Sequence, residues 1–85
     1  MGVFYFDTGY DTAGYVQVES IPDPGATILN HNGPYRCTIV PDDPLLPTET
    51  TERNDTYGYL AGANAVDDWK AKNHLNPSTV WNLTN

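Results

Sequence analysis

One stretch alone, Asn64-Ala-Val-Asp-Asp-Trp-Lys-Ala-Lys-Asn73, reads as a helix with a start, a body and an end. The rest of the chain must therefore be built from strands, turns and irregular segments. Asn64 has the side chain of an N-cap, able to accept from a backbone N–H of the first turn. Asp67 and Asp68 follow where negative charge suits the helix start, and Lys70 and Lys72 fall where positive charge suits its end. Asn73 reads as the C-cap, and Pro77 makes continuation unfavourable. Ala65, Val66 and Trp69 share one face at spacings of three and four. A helix this short is marginal alone, so Trp69 must dock against something for it to persist. The simplest dock is the domain's own core; the sharper alternative is a partner, since Trp is enriched at binding hot spots.

The core available to that Trp is small. The chain has 85 residues, enough for one domain, of which seventeen are Val, Ile, Leu or Phe. So thin an aliphatic content sits at the edge of what folds. Six Tyr and two Trp compensate, because aromatic rings bury large areas per residue. The single cysteine, Cys37, allows no internal disulfide. Small secreted domains usually carry such staples, so an oxidising compartment is not expected. The first residues lack a basic region followed by a long apolar stretch, and no run is long enough to span a bilayer.

With 11 acidic against 4 basic residues, the net charge is −7. That disfavours ordinary nucleic-acid binding, which needs a basic footprint, and docking on an anionic membrane. A basic partner is compatible with it. So is the plain reading, in which the charge keeps the chain soluble.

Val3 to Phe6 is a short apolar run of high β propensity. Residues 7–14 are turn-rich. Tyr15 to Glu19 alternates, with Val16 and Val18 on one face and Tyr15, Gln17 and Glu19 on the other. These two runs are expected to pair as a hairpin. Ile21 to Gly25 interrupts, because Pro22 and Pro24 remove ladder donors. Ala26 to Leu29 is a further short strand candidate, and Asn32-Gly33 is a hairpin signal. It leads to a strand at 35–40 with Tyr35, Cys37 and Ile39 on one face and Arg36, Thr38 and Val40 on the other. Residues 41–56, with three prolines and few apolar side chains, show no periodicity. So long a segment without structure is unusual inside a compact domain. It reads as an extended arm laid on another surface, or as a linker. After the helix, Pro77 is placed to restart a short helical turn through Trp81.

Catalysis has little support in the residue pattern. His31 and His74 sit in a turn and at a helix end, outside any motif, and read as solvated. Cys37 shares a strand face with Tyr35 and Ile39 and reads as a buried thiol; an activated one would need an electropositive setting. Ser20 and Ser78 have no nucleophile context, and no Gly-rich phosphate loop follows a strand. Asp7 and Asp11 in one loop, with the pairs Asp42-Asp43 and Asp67-Asp68, are the only hints of calcium, but EF-hand spacing is absent and solvated acidic turns explain them. No cofactor or metal is expected. Tyr5, Tyr10, Tyr15, Tyr35, Tyr57 and Tyr59 suit half-buried strands, and equally an interface or a sugar-binding surface.

These features predict an α+β, β-rich domain. It has a small antiparallel sheet of two hairpins over residues 1–40, a long proline-rich extended segment over 41–56, and one short C-terminal helix within 57–85. The expected role is structural and non-enzymatic: protein–protein contact within a larger assembly. The expected form is a minor, decorating or cementing component of a virion such as a phage capsid or tail, assembled in a host cytoplasm. Arms and added strands bind through backbone hydrogen bonds and scattered apolar plugs. Phe4, Phe6, Leu45, Leu46 and Trp81 are the expected contact residues. The partners would be other proteins, including copies of the same chain, and neither nucleic acid nor membrane. The alternatives are a soluble acidic inhibitor that mimics nucleic acid and a carbohydrate-binding accessory module.

Overall fold

The computed structural model describes residues 1–7, 12–77 and 79–84. Tyr10, Asp11 and Ser78, and the side chain of Leu83, lie outside what it describes. Five strands form one antiparallel sheet with a helix on one face. They are β1 (Gly2–Asp7), β2 (Ala13–Ser20), β3 (Tyr35–Pro41), β4 (Glu49–Arg53) and β5 (Val80–Thr84), with α1 (Gly58–Lys72) between the last two. The order across the sheet is β4-β3-β2-β1-β5. The first four strands run as a meander, and α1 then carries the chain back to pair β5 with β1.

The hairpin of β1 and β2 matches the sequence reading. Phe4 pairs with Val16 and Gly2 with Val18, so their apolar side chains share one face. The β3 alternation also holds: Tyr35, Cys37 and Ile39 are buried. Between these strands and α1 lies a core of Phe4, Phe6, Val16, Val18, Tyr35, Cys37, Ile39, Ala61, Ala65, Val66 and Trp69, joined by Ile28. The helix approaches closely because it faces the sheet with small residues. A Cβ on Gly62 would stand 2.8 Å from Val18 Cγ2.

Other elements differ from the expectation. Residues 26–29 form no strand, and Asn32-Gly33 is not a hairpin turn. Instead, Ile28 plugs the core from an irregular loop held by side chains. The Tyr35 hydroxyl donates to Asn30 O and accepts from Asn32 N–H, and the Ser20 hydroxyl donates to Asn32 O. The Gly33–Pro34 peptide is cis. The second hairpin is β3 with β4, drawn from the segment read as an arm or linker. Thr51 pairs with Cys37, and Glu52 with Arg36. The run Glu-Thr-Thr-Glu-Arg has no apolar residue, so its strand character comes from the neighbour it pairs with.

The helix starts six residues before the expected N-cap. Tyr57 precedes it without a side-chain cap. The Tyr59 N–H donates instead to Ile28 O at 3.2 Å, so a loop distant in sequence supplies the acceptor that a local cap would. Asp67 and Asp68 therefore lie well past the first turn. The C-terminal end matches the reading, with Asn73 as C-cap. His74 takes a left-handed φ of 57°. Its N–H donates to Ala71 O at 3.3 Å and Leu75 N–H to Lys70 O at 3.0 Å, the paired bonds of a Schellman end. The segment expected to restart a helical turn toward Trp81 instead leads into strand β5.

Candidate protein-contact surfaces

Side chains alternate across each strand, so burial of one face fixes the other. On the face opposite α1, the register aligns Tyr5, Tyr15 and Val40 in one row across β1, β2 and β3. The next row is Val3, Gln17, Thr38 and Thr50, and the one beyond it is Glu19, Arg36 and Glu52. Tyr5 is 49% exposed, and its ring lies 6.1 Å from that of Tyr15. The Thr38 and Thr50 hydroxyls are 3.2 Å apart. Arg36 bridges Glu19 at 3.4 Å and Glu52 at 3.7 Å. The face thus grades from aromatic and apolar through hydroxyl and amide to ion pairs.

A second surface lies at the β5 edge of the sheet. Among the described residues, the backbone of the helix lies close to β1 through β4 and stands farther from β5. In the resulting gap is a cleft of about 230 Å³ lined by Phe4, Tyr59, Ala63 and Trp81. Trp81 sits edge-on to Phe4 at 5.6 Å and lies 6.1 Å from Phe6. Phe6 in turn meets Trp69 edge-on at 6.0 Å. Beside the cleft, Tyr59 stacks on Tyr57 at 5.5 Å, and Tyr57 meets His31 at 4.1 Å. An aromatic chain therefore runs from the core out to the cleft, and a second one lies along its margin.

The far edge, between β4 and α1, carries charged side chains over an otherwise largely apolar lining. A groove of about 430 Å³ there is lined by Glu49, Thr51, Arg53, Ala65, Asp68, Ala71 and Lys72. Two ion pairs cross it at 2.6 Å, Arg53 to Asp68 and Lys72 to Glu49. Arg53 also donates to Asp55 at 3.0 Å. That hydrogen bond, ahead of the one to Asp68, raises the Arg53 pKa further above its ordinary value.

The sequence-predicted contact residues separate into three environments. Phe4 and Phe6 lie in the core at 5% and 2% exposure, so their rings are spent on folding. Phe4 still shows one side to the β5 cleft. Leu45 is 91% exposed at the tip of a turn in which Asp43 accepts its N–H at 2.9 Å. Leu46 is partly buried against the core. Trp81 is half-buried and forms a wall of the cleft. The tyrosines are dispersed: Tyr35 is buried, Tyr5 and Tyr15 are on the open face, and Tyr57 and Tyr59 are at the helix start.

Lys70 lies in the last turn of α1 as the sequence predicts, and it is also buried, at 1% exposure. Its ammonium lies 5.6 Å over the Phe6 ring and donates to Thr79 Oγ1. A cation there is held by the aromatic face and the hydroxyl, and its stem fills core space. Lys70 thus fastens the connection between α1 and β5. Periodicity carried a signal for this, since Lys70 follows Val66 at i+4 on the buried stripe. The sulfur of Cys37 is fully enclosed, and burial pushes its thiol up to about 12. Among the described residues, no group of three His, Cys, Asp or Glu side chains is placed to hold a metal ion. No helix of the described chain is long and apolar enough to cross a membrane. No family model matches the chain, and no curated protein or solved structure is significantly similar to it.

Proposed function

We propose that this chain is a non-enzymatic structural component of a larger protein assembly, of the minor, decorating or cementing kind carried by a virion such as a phage capsid or tail. The observation that carries the reading is the open sheet face. An antiparallel sheet covered on one side normally turns polar side chains outward on the other. Here the outward row Tyr5-Tyr15-Val40 is aromatic and apolar, with polar and ion-paired rows beside it. An aromatic, apolar patch bordered by polar side chains is common at protein interfaces. Nucleic-acid mimicry has less support. Glu19, Glu49, Glu52, Asp55 and Asp68 are engaged by the chain's own Arg36, Arg53 and Lys72, which thins the set of carboxylates left to imitate phosphates.

The test is co-sedimentation from cells that make the chain. The wild type is expected in a fast-sedimenting particle fraction. The double variant Tyr5→Lys with Tyr15→Lys, folded by circular dichroism, is expected to stay at the top of the gradient. Wild-type chain found only at the top, or a double variant that travels with the particle, would overturn the reading.

A further inference from the structure

The cleft beside β5 lies off the open face and has its own logic. We infer that the groove between α1 and β5 docks an extended basic segment of a partner protein, added as a sixth strand on β5 with one large apolar side chain seated among Phe4, Tyr59, Ala63 and Trp81. The inference rests on the assembly reading and names the chemistry of one contact within it.

Three observations support it. First, β5 is the last strand of the sheet, and none of the described residues pairs with its outer edge. An edge strand is a template for another strand, and main-chain hydrogen bonds supply affinity in such additions. Second, the cleft lies on the helix side of that edge. A strand laid about 4.8 Å from β5 turns alternate side chains toward the helix side, beside Trp81. A cleft of about 230 Å³ with an almost wholly apolar lining has room for a Leu or Phe anchor. Among the described residues, Tyr59 and Trp81 alone bring polar side-chain atoms to its lining, fewer than the converging groups a sugar requires.

Third, charge selects the occupant. The chain carries −7. Arg36, Arg53 and Lys72 are committed to internal ion pairs and Lys70 is buried. Asp67 is exposed on α1, one turn beyond Ala63. A segment with Lys or Arg two residues to either side of its anchor, on the same strand face, meets an attractive field, whereas a second copy of this chain brings like charge.

The probe is the peptide Thr-Lys-Thr-Phe-Thr-Lys-Thr, whose Lys side chains share the face of the Phe, titrated into the full chain and followed by amide NMR. Saturable shifts centred on Ala63 and Trp81 are expected. Replacing the peptide's Phe with Ser, or making Ala63→Arg in the protein, should weaken binding by about tenfold or more. Asp67→Lys should weaken it by about threefold at low salt. The same peptide with Glu for Lys should not bind, and N-methylation of alternate peptide amides should abolish binding. Shifts centred on Tyr5 and Tyr15, or affinities indifferent to both the Phe and Ala63 changes, would overturn the inference. A concentration-dependent dimer of the chain that Ala63→Arg dissolves would assign the groove to a second copy and overturn it too. Its fate is separable from that of the assembly reading. Loss of peptide binding specificity with particle sedimentation intact sinks the groove alone, and loss of sedimentation in the wild type sinks the assembly.

Discussion

Single side chains in this protein are constrained mostly by what stands over them. Cys37 is enclosed in the core, and its neutral thiol is favoured in the folded state. It should resist a thiol reagent at pH 8 and react only as fast as the chain unfolds, which stopped-flow labelling with and without urea would show. Its folded value is raised above that of the unfolded chain. The stability it contributes is therefore complete below about pH 9 and lost as pH rises toward about 12. A Cys37→Ala variant should show a shallower alkaline loss of stability in denaturant titrations. Gly14 presents the opposite constraint. A Cβ there would collide with the Val40 carbonyl and stand 2.8 Å from Pro41 Cα, both backbone. Gly14→Ala should cost about 2 kcal/mol or more in urea unfolding, because the neighbouring strand cannot yield. His74 holds a left-handed φ that glycine adopts without penalty. His74→Gly should raise stability by about 0.5–1 kcal/mol.

At the scale of elements, α1 is held from three directions. Ile28 O receives the Tyr59 N–H at its start, the sheet receives its stripe of small and aromatic residues, and Lys70 fastens the chain after its end to Thr79. The Trp69 indole also donates to Pro47 O at 3.0 Å, tying the helix to the turn that precedes β4. Since β4 has no apolar residue, it is kept in the sheet by its pairing with β3, by this tie and by the ion pairs of Glu49 and Arg53 with α1. Trp69→Phe keeps a ring in the core but removes the donor. It should cost about 1–3 kcal/mol and speed hydrogen exchange in β4 more than in β1 or β2. An equal effect on all strands would show the tie to be global instead.

For the molecule as a whole, the N-terminal run and the proline-rich turn have opposite weights. Strand β1 lies between β2 and β5, and its Phe4 and Phe6 are core residues. Deleting Met1 to Phe6 should abolish cooperative thermal unfolding by circular dichroism. Leu45→Ser, at a fully solvated tip, should change stability by less than about 0.5 kcal/mol. The two segments were both expected to supply contacts, yet only the second is free to do so without loss of the fold. Besides that turn, the surfaces proposed for partners are the open sheet face and the β5 cleft. Both are assembled from residues far apart in the chain.

The sequence alone determined the elements whose information is local. Alternation placed Val16, Val18, Tyr35, Cys37 and Ile39 inward, and the β1–β2 hairpin followed from it. The Lys-rich end and Asn73 marked where α1 stops, and Trp69 marked its buried side. Tertiary structure decided the rest, because the stabilising partner was remote. The start of α1 depends on the carbonyl of Ile28, and β4 is a strand because β3 offers it a ladder. A hydrophilic run such as Glu49 to Arg53 has no pattern of its own to betray pairing. The cleft was invisible for the same reason: Phe4, Tyr59, Ala63 and Trp81 meet only because α1 carries the chain back across the sheet, and a site made by that crossing has no spacing to read.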